Sequence, residues 1–261
     1  MENKELIPFF ELLNKVYNNK SRILYHHTSY ESLILILKGH SIRLTRYDLM
    51  NDIAEKELSK CQTGDNRYIA SFTSAQTESV AMWALYGKNS SLKLRLAFPK
   101  DALVSSVSNN FYFDSALTER IPVWKTGTVN SDISKKGFSL SNIVYYDRDK
   151  SQLRLDGKPL KDLKVTENLI SELAGTIKYD AWEYEKETRL SVVLHQEEDT
   201  PGDITHIYAK LTDELIKKMT IIYNPWINDT LFQVLSENID NIAGFKLNHK
   251  KSDLHGEITE L

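Results

Sequence analysis

Apolar residues recur along this chain at two spacings, and the switches between them outline a set of elements. From Glu2 to Tyr17, Leu6, Phe9, Phe10, Leu13 and Val16 fall three or four residues apart, which predicts an amphipathic helix. Arg22 to His26 reads as a short strand. Thr28-Ser29-Tyr30-Glu31 has the form of a capping box, predicting a helix that begins at Thr28 and ends at Gly39. Its run Leu33 to Leu37 predicts burial over most of its surface. Asp48 to Lys60 reads as a loop followed by a helix. Further strands are expected at Ser41 to Thr45, Tyr68 to Thr73, Ser91 to Phe98, Ile143 to Tyr146, Ile204 to Ala209, Met219 to Tyr223 and Gly244 to Leu247. Further helices are expected at Glu78 to Tyr86, Leu163 to Ala174, Thr212 to Lys218 and Asp229 to Ile239. Strands and helices mix without a regular strand–helix–strand repeat. The expected class is therefore α+β, in a single domain spanning residues 1–261, with residues 125–142 as a long internal loop.

The segment from Trp182 to Leu194 carries the strongest pattern. Read as one strand, it places Glu183, Glu185, Glu187 and Arg189 on one face and Trp182, Tyr184, Lys186, Thr188, Leu190, Val192 and Leu194 on the other. Three carboxylates in line repel one another. Such a face is either a solvated edge that blocks aggregation or a surface that meets positive charge. Arg189 is expected to partner Glu187 or a substrate phosphate.

Composition narrows the choice of chemistry. With 261 residues, 41% hydrophobic and 26% charged, the chain can bury a substantial core. A net charge of −3 argues against a broad nucleic-acid surface. One cysteine, Cys61, in a polar surrounding, leaves no disulfide framework and reads as an incidental thiol. The first twenty residues carry mixed charge, and the longest apolar run, Leu33 to Leu37, is too short for a bilayer, so a cytoplasmic protein is expected, with no membrane partner.

Four constellations invite functional readings. Tyr25-His26-His27-Thr28 puts an imidazole at a strand end beside a helix N-terminus, a setting suited to anions. Adjacent histidines on a strand point to opposite faces, so no metal site is expected there. Ser71-Phe72-Thr73 is followed by a helix carrying Met82, Trp83 and Tyr86; hydroxyls beside aromatic faces suit a flat ring, although an aromatic stripe at helical spacing equally suits a core. Asn51-Asp52 reads as a helix cap or a substrate contact. The acidic segment is the fourth. No Gly-x-Gly-x-x-Gly, P-loop, Gly-x-Ser-x-Gly or His-Glu-x-x-His occurs.

In order, Leu24-Tyr25-His26-His27-Thr28-Ser29, Asn51-Asp52-x-x-Glu55, Ser71-Phe72-Thr73, Met82-Trp83-x-x-Tyr86-Gly87 and Trp182-x-Tyr184-Glu185-x-Glu187-x-Arg189 resemble a bacterial family known only as a domain of unknown function. Its members look like accessory genes near mobile or phage-defence loci. His27 departs from the aromatic usual there. That family in turn distantly resembles the ADP-ribosyltransferase fold, through His26 on an early strand, Ser71-Phe72-Thr73 on a middle strand and Glu185-x-Glu187 near a later one. The resemblance implies split, mostly antiparallel sheets around a cleft. It also implies NAD as co-substrate, no metal, and transfer of ADP-ribose to a protein or nucleic-acid acceptor, as in a phage-defence or toxin effector. Glu187 would face the ribose cation formed as nicotinamide leaves, and Glu185 would orient the acceptor or act as base. His26 would hold a ribose hydroxyl or the pyrophosphate, and Phe72 or Tyr86 would stack on nicotinamide. Tyr25, Thr28, Ser71, Thr73, Trp83 and Arg189 would complete the nucleotide site. The alternatives are an NAD glycohydrolase, a non-catalytic nucleotide-sensing or protein-binding module on the same fold, and a metal-dependent nuclease using Asp52, Glu55, Glu185 and Glu187.

Overall fold

A computed structural model describes residues 3–59, 65–86, 92–107, 111–114, 120–122, 138–149, 152–160, 163, 165–195 and 204–258. Its strands are β1 (Ile23–Ser29), β2 (Ser41–Arg46), β3 (Asp65–Thr73), β4 (Lys93–Pro99), β5 (Phe111–Asp114), β6 (Arg120–Pro122), β7 (Ser139–Asn142), β8 (Val144–Tyr146), β9 (Leu153–Leu155), β10 (Lys158–Leu160), β11 (Ile177–Tyr179), β12 (Glu187–His195), β13 (His206–Lys210), β14 (Thr220–Tyr223) and β15 (Asn248–Lys251). Its α-helices are α1 (Asn3–Tyr17), α2 (Tyr30–Gly39), α3 (Ile53–Ser59), α4 (Val80–Leu85), α5 (Lys100–Val107), α6 (Glu167–Glu172), α7 (Asp213–Lys218) and α8 (Asp229–Ala243). Antiparallel pairing dominates and helices are interspersed, so the class is α+β. No helix among the described residues is long and apolar enough to cross a membrane.

Contacts divide the chain into two compact units. The first comprises Met1–Lys20, Arg43–Ser71 and Phe111–Tyr208; the second comprises Ser21–Ile42, Phe72–Asn110 and Ala209–Leu261. In the first, β12 pairs with β3 and runs antiparallel to β7, from Thr188 opposite Asn142 to Ser191 opposite Ser139. A separate sheet runs β10-β9-β8-β11. The apolar stripe of α1 supplies Leu12 and Val16 to a core with Val144, Leu153, Leu169, Ile170 and Ile177. Each fully buried aliphatic side chain of this kind contributes about 1.5–3 kcal/mol.

In the second unit β4 is central. It pairs antiparallel with β1 along the whole length, from Ile23 opposite Pro99 to Ser29 opposite Lys93, and with β14 on its other side. β15 runs parallel to β14. Asn228 caps α8 by accepting from Leu231 N, and Gly244 ends it at φ +77°, a left-handed value that glycine adopts without strain.

Several boundaries differ from expectation. The ladder to β4 extends β1 through Thr28 and Ser29, so Ser29, not Thr28, caps α2, its Oγ accepting from Ser32 N. Leu33, Ile36 and Leu37 of α2 are buried, but Leu35 is 71% exposed; the helix is amphipathic, not buried all round. Residues 244–247 are not a strand, because α8 continues to Ala243 and the extended segment begins at Asn248. The helix expected over residues 163–174 is confined to Glu167–Glu172. Residues 139–142 of the expected long loop form β7, while residues 125–137 and Cys61 lie outside the described residues.

The largest correction concerns the acidic segment. Asp180–Glu185 is a 3₁₀ helix, Lys186 takes φ +43°, and the strand starts only at Glu187. Period-two alternation therefore does not govern Trp182 to Glu185, and Glu183 and Glu185 do not share a strand face with Glu187. From Glu187 onward it does hold: Glu187 and Arg189 lie on one side of β12.

Candidate functional site

The first unit gathers charged side chains from four elements. Arg189 of β12 is fully buried. Its Nε donates to Glu187 Oε1 at 2.8 Å and its Nη2 to Glu187 Oε2 at 3.0 Å, a bidentate fork. Nη2 also lies 2.5 Å from Glu55 Oε1 of α3, and Nη1 donates to the Gly175 carbonyl at 3.1 Å. Lys178 of β11 donates to Glu185 Oε2 at 2.7 Å and Glu187 Oε2 at 3.3 Å, with its Nζ 4.6 Å from the Trp182 ring centre. Ser71 Oγ donates to Glu187 Oε1 at 2.5 Å, and Glu187 N donates to the Tyr145 hydroxyl at 2.9 Å. The acidic face is thus neither a solvated edge nor a row of unopposed charges: Glu185 and Glu187 are each only 4% exposed.

Three carboxylates meet two cations here, and burial makes that imbalance consequential. Burial alone would raise Glu187, but Arg189, Lys178 and the hydrogen bonds from Arg189 and Ser71 outweigh it and hold the carboxyl down to about 2. Glu55 shifts upward, first through burial and further through the charge of Glu187, against the pull of Arg189. Burial disfavours the charged form of Lys178, but Glu187 and Glu185 overcome it and raise the ammonium. The Tyr145 hydroxyl is pushed up by burial and by Glu187. A carboxylate held ionised beside one pushed toward its acid form is an arrangement used in proton transfer.

The second unit holds the other candidates. His26, half-buried, has its ring 5.5 Å from that of Phe72. Thr28 is buried in the ladder, and Thr73 Oγ1 accepts from Ala75 N at 3.1 Å. Tyr25 lies beneath the Arg95 guanidinium, 3.6 Å from ring centre to Cζ. The ring centres of Trp83 and Tyr86 are 5.0 and 6.5 Å from that of His27. Burial, then the charge of Arg95, hold the His27 imidazole neutral, down to about 3.

Of the residues the resemblance gathers into one nucleotide site, Ser71, Glu185, Glu187 and Arg189 meet in the first unit, while Tyr25, His26, Thr28, Phe72, Thr73, Trp83 and Tyr86 belong to the second. Asp52 takes the capping role, its Oδ1 accepting from Ala54 N at 2.9 Å. Lys178, Tyr145 and Gly175 were not foreseen. Lys178 sits on a three-residue strand with no periodic signature, and only its proximity in sequence to Trp182-x-Tyr184-Glu185 marked it. Among the described residues no group of three or more His, Cys, Asp or Glu could hold a metal ion. Of the carboxylates proposed for a nuclease, Glu55, Glu185 and Glu187 face Arg189 or Lys178, and Asp52 caps α3. No family model, curated protein or solved structure matches the chain.

Proposed function

We propose that the chain is an NAD-cleaving, ADP-ribosyltransferase-like protein that passes ADP-ribose to a macromolecular acceptor, and that its α+β fold is a form of that architecture. The observation that carries this reading is the 2.5 Å contact between Ser71 Oγ and Glu187 Oε1. It joins the hydroxyl of the middle-strand element to the carboxylate of the later one, two of the three elements on which the resemblance depends. A carboxylate already oriented by Ser71, Arg189 and Lys178 needs no reorganisation as positive charge develops on ribose. Glu187 would stabilise that charge, and Glu185, on the same lysine, would orient or deprotonate the acceptor.

A second reading, a non-catalytic nucleotide-binding module, is favoured by the same cluster. Both Glu187 oxygens are already engaged by cations, which weakens the field left for a ribose cation. Nicotinamide release from NAD separates the two, measured for wild type, Glu187→Gln and Glu185→Gln, each first checked for a native melting transition. The enzyme reading expects release that falls about 100-fold or more in Glu187→Gln. It expects Glu185→Gln to keep release but lose transfer. Saturable NAD binding without release supports the module. Neither binding nor release refutes both.

A further inference from the structure

We propose that the second unit carries a binding site for a small aromatic carboxylate, with Arg95 and Trp226 holding the acid group and half-buried rings holding the flat body. The site draws on none of the charged residues around Glu187, although it takes in Tyr25, Trp83 and Tyr86, which the resemblance gives to the nucleotide.

Strand register builds it. His27, Arg95 and Ile222 lie opposite one another across β1, β4 and β14, so their side chains share a face; Tyr25 and Ala97 occupy that face two residues further along. Trp83, Ala97 and Ile222 form a small core there, with Tyr25, Trp226 and Leu254 packed against it. Into this apolar surrounding projects a guanidinium only 2% exposed.

Arg95 is incompletely matched. Its Nη2 donates to the Ala75 carbonyl, and Glu78 Oε1 forms an ion pair with Nη1 at 4.0 Å, too long to be a hydrogen bond. Glu78 is held by other donors: Trp83 Nε1 at 2.8 Å, Asp253 N at 3.0 Å and the Ser252 hydroxyl. Arg95 Nε, Trp226 Nε1 and His27 Nδ1 are buried and have no hydrogen-bond partner among the described residues. A buried donor left unpaired costs about 1–3 kcal/mol, more when charged.

One guanidinium N–H and one indole N–H therefore call for an acceptor, and a donor on a cation is matched best by an anionic one. The planar fork of arginine suits a carboxylate. Tyr25, Trp226 and Leu254, packed against that core, and Tyr86, its ring 6.5 Å from that of His27, are half-buried, which adds a preference for a flat apolar ring over a bare inorganic anion.

Benzoate is the test probe, with benzamide, acetate and inorganic phosphate as comparisons. Binding to the full chain is read by calorimetry and by the indole N–H resonances, that of Trp226 being assigned by its loss in Trp226→Phe. Benzoate should bind saturably and move the Trp226 resonance, with benzamide, acetate and phosphate each about tenfold weaker or worse. Trp226→Phe keeps a ring but removes the N–H and should weaken benzoate about tenfold, and Arg95→Lys should weaken it further. Should Arg95→Lys fail to fold, Trp226→Phe carries the decision. No saturable benzoate binding up to about 10 mM overturns the proposal. So does equal binding of benzamide, acetate or phosphate, or unchanged benzoate affinity in Trp226→Phe.

Discussion

Glu187→Gln should remove a distinct limb from the pH dependence of stability. Folded, Glu187 is held at about 2 against an ordinary 4.5. A carboxyl depressed by that much contributes about 3 kcal/mol, fully present above pH 4.5 and lost as pH falls toward 2, because only the unfolded chain takes up the proton in that window. Glu55 acts with the opposite sign. Its raised pKa means that the folded chain keeps a proton the unfolded chain has released, so stability falls as pH rises above 4.5 through that higher value. Together the pair produces a maximum near pH 4.5. Gln preserves shape and an acceptor for Ser71, but it removes the charge that Arg189 and Lys178 share. Urea unfolding of both proteins from pH 2.5 to 7 checks this. The gap between wild type and Glu187→Gln should be about 3 kcal/mol at pH 5 and should narrow steadily below 4.5. Glu55, relieved of its neighbour's charge, should also titrate nearer the ordinary carboxylate range. Parallel curves below pH 4.5 would show that the cluster does not hold Glu187 ionised, and the electrostatic reasoning would fail.

Other perturbations test neighbouring parts of the structure. Gly175→Ala forces a side chain onto φ +86° with its Cβ 2.7 Å from Arg67 Cδ, while Gly244→Ala at φ +77° meets open space. Chemical denaturation should show a loss of about 1 kcal/mol for Gly244→Ala and clearly more for Gly175→Ala. Tyr145→Phe leaves the Glu187 N–H without its acceptor and should cost about 1–3 kcal/mol in the same assay. Asn228→Ala removes the α8 cap and should cost about 1 kcal/mol, with Asn228→Asp close to neutral by melting temperature.

What the sequence determined by itself was local. The three- and four-residue spacing of Leu6, Phe9, Phe10, Leu13 and Val16 identified α1; Val16 enters a core, but so does Leu12, which that spacing left out, and Phe10 is 58% exposed. Trp83 and Met82 on one side of a short helix, the placement of β4 and the existence of α8 were likewise legible, because burial of one face imposes a period on the residues that supply it. Lys186 shows where this stops. No glycine or asparagine announces its left-handed backbone, so the turn that detaches Glu185 from β12 left no mark in the pattern. Only the tertiary structure decided that Glu55, Ser71, Lys178 and Arg189 surround Glu187, and that Arg95 lies over Tyr25 with its Nε unmatched. Periodicity records which side of an element leaves water. It does not record which distant charge waits on that side, and once both are buried it is that partner which sets a carboxylate's protonation.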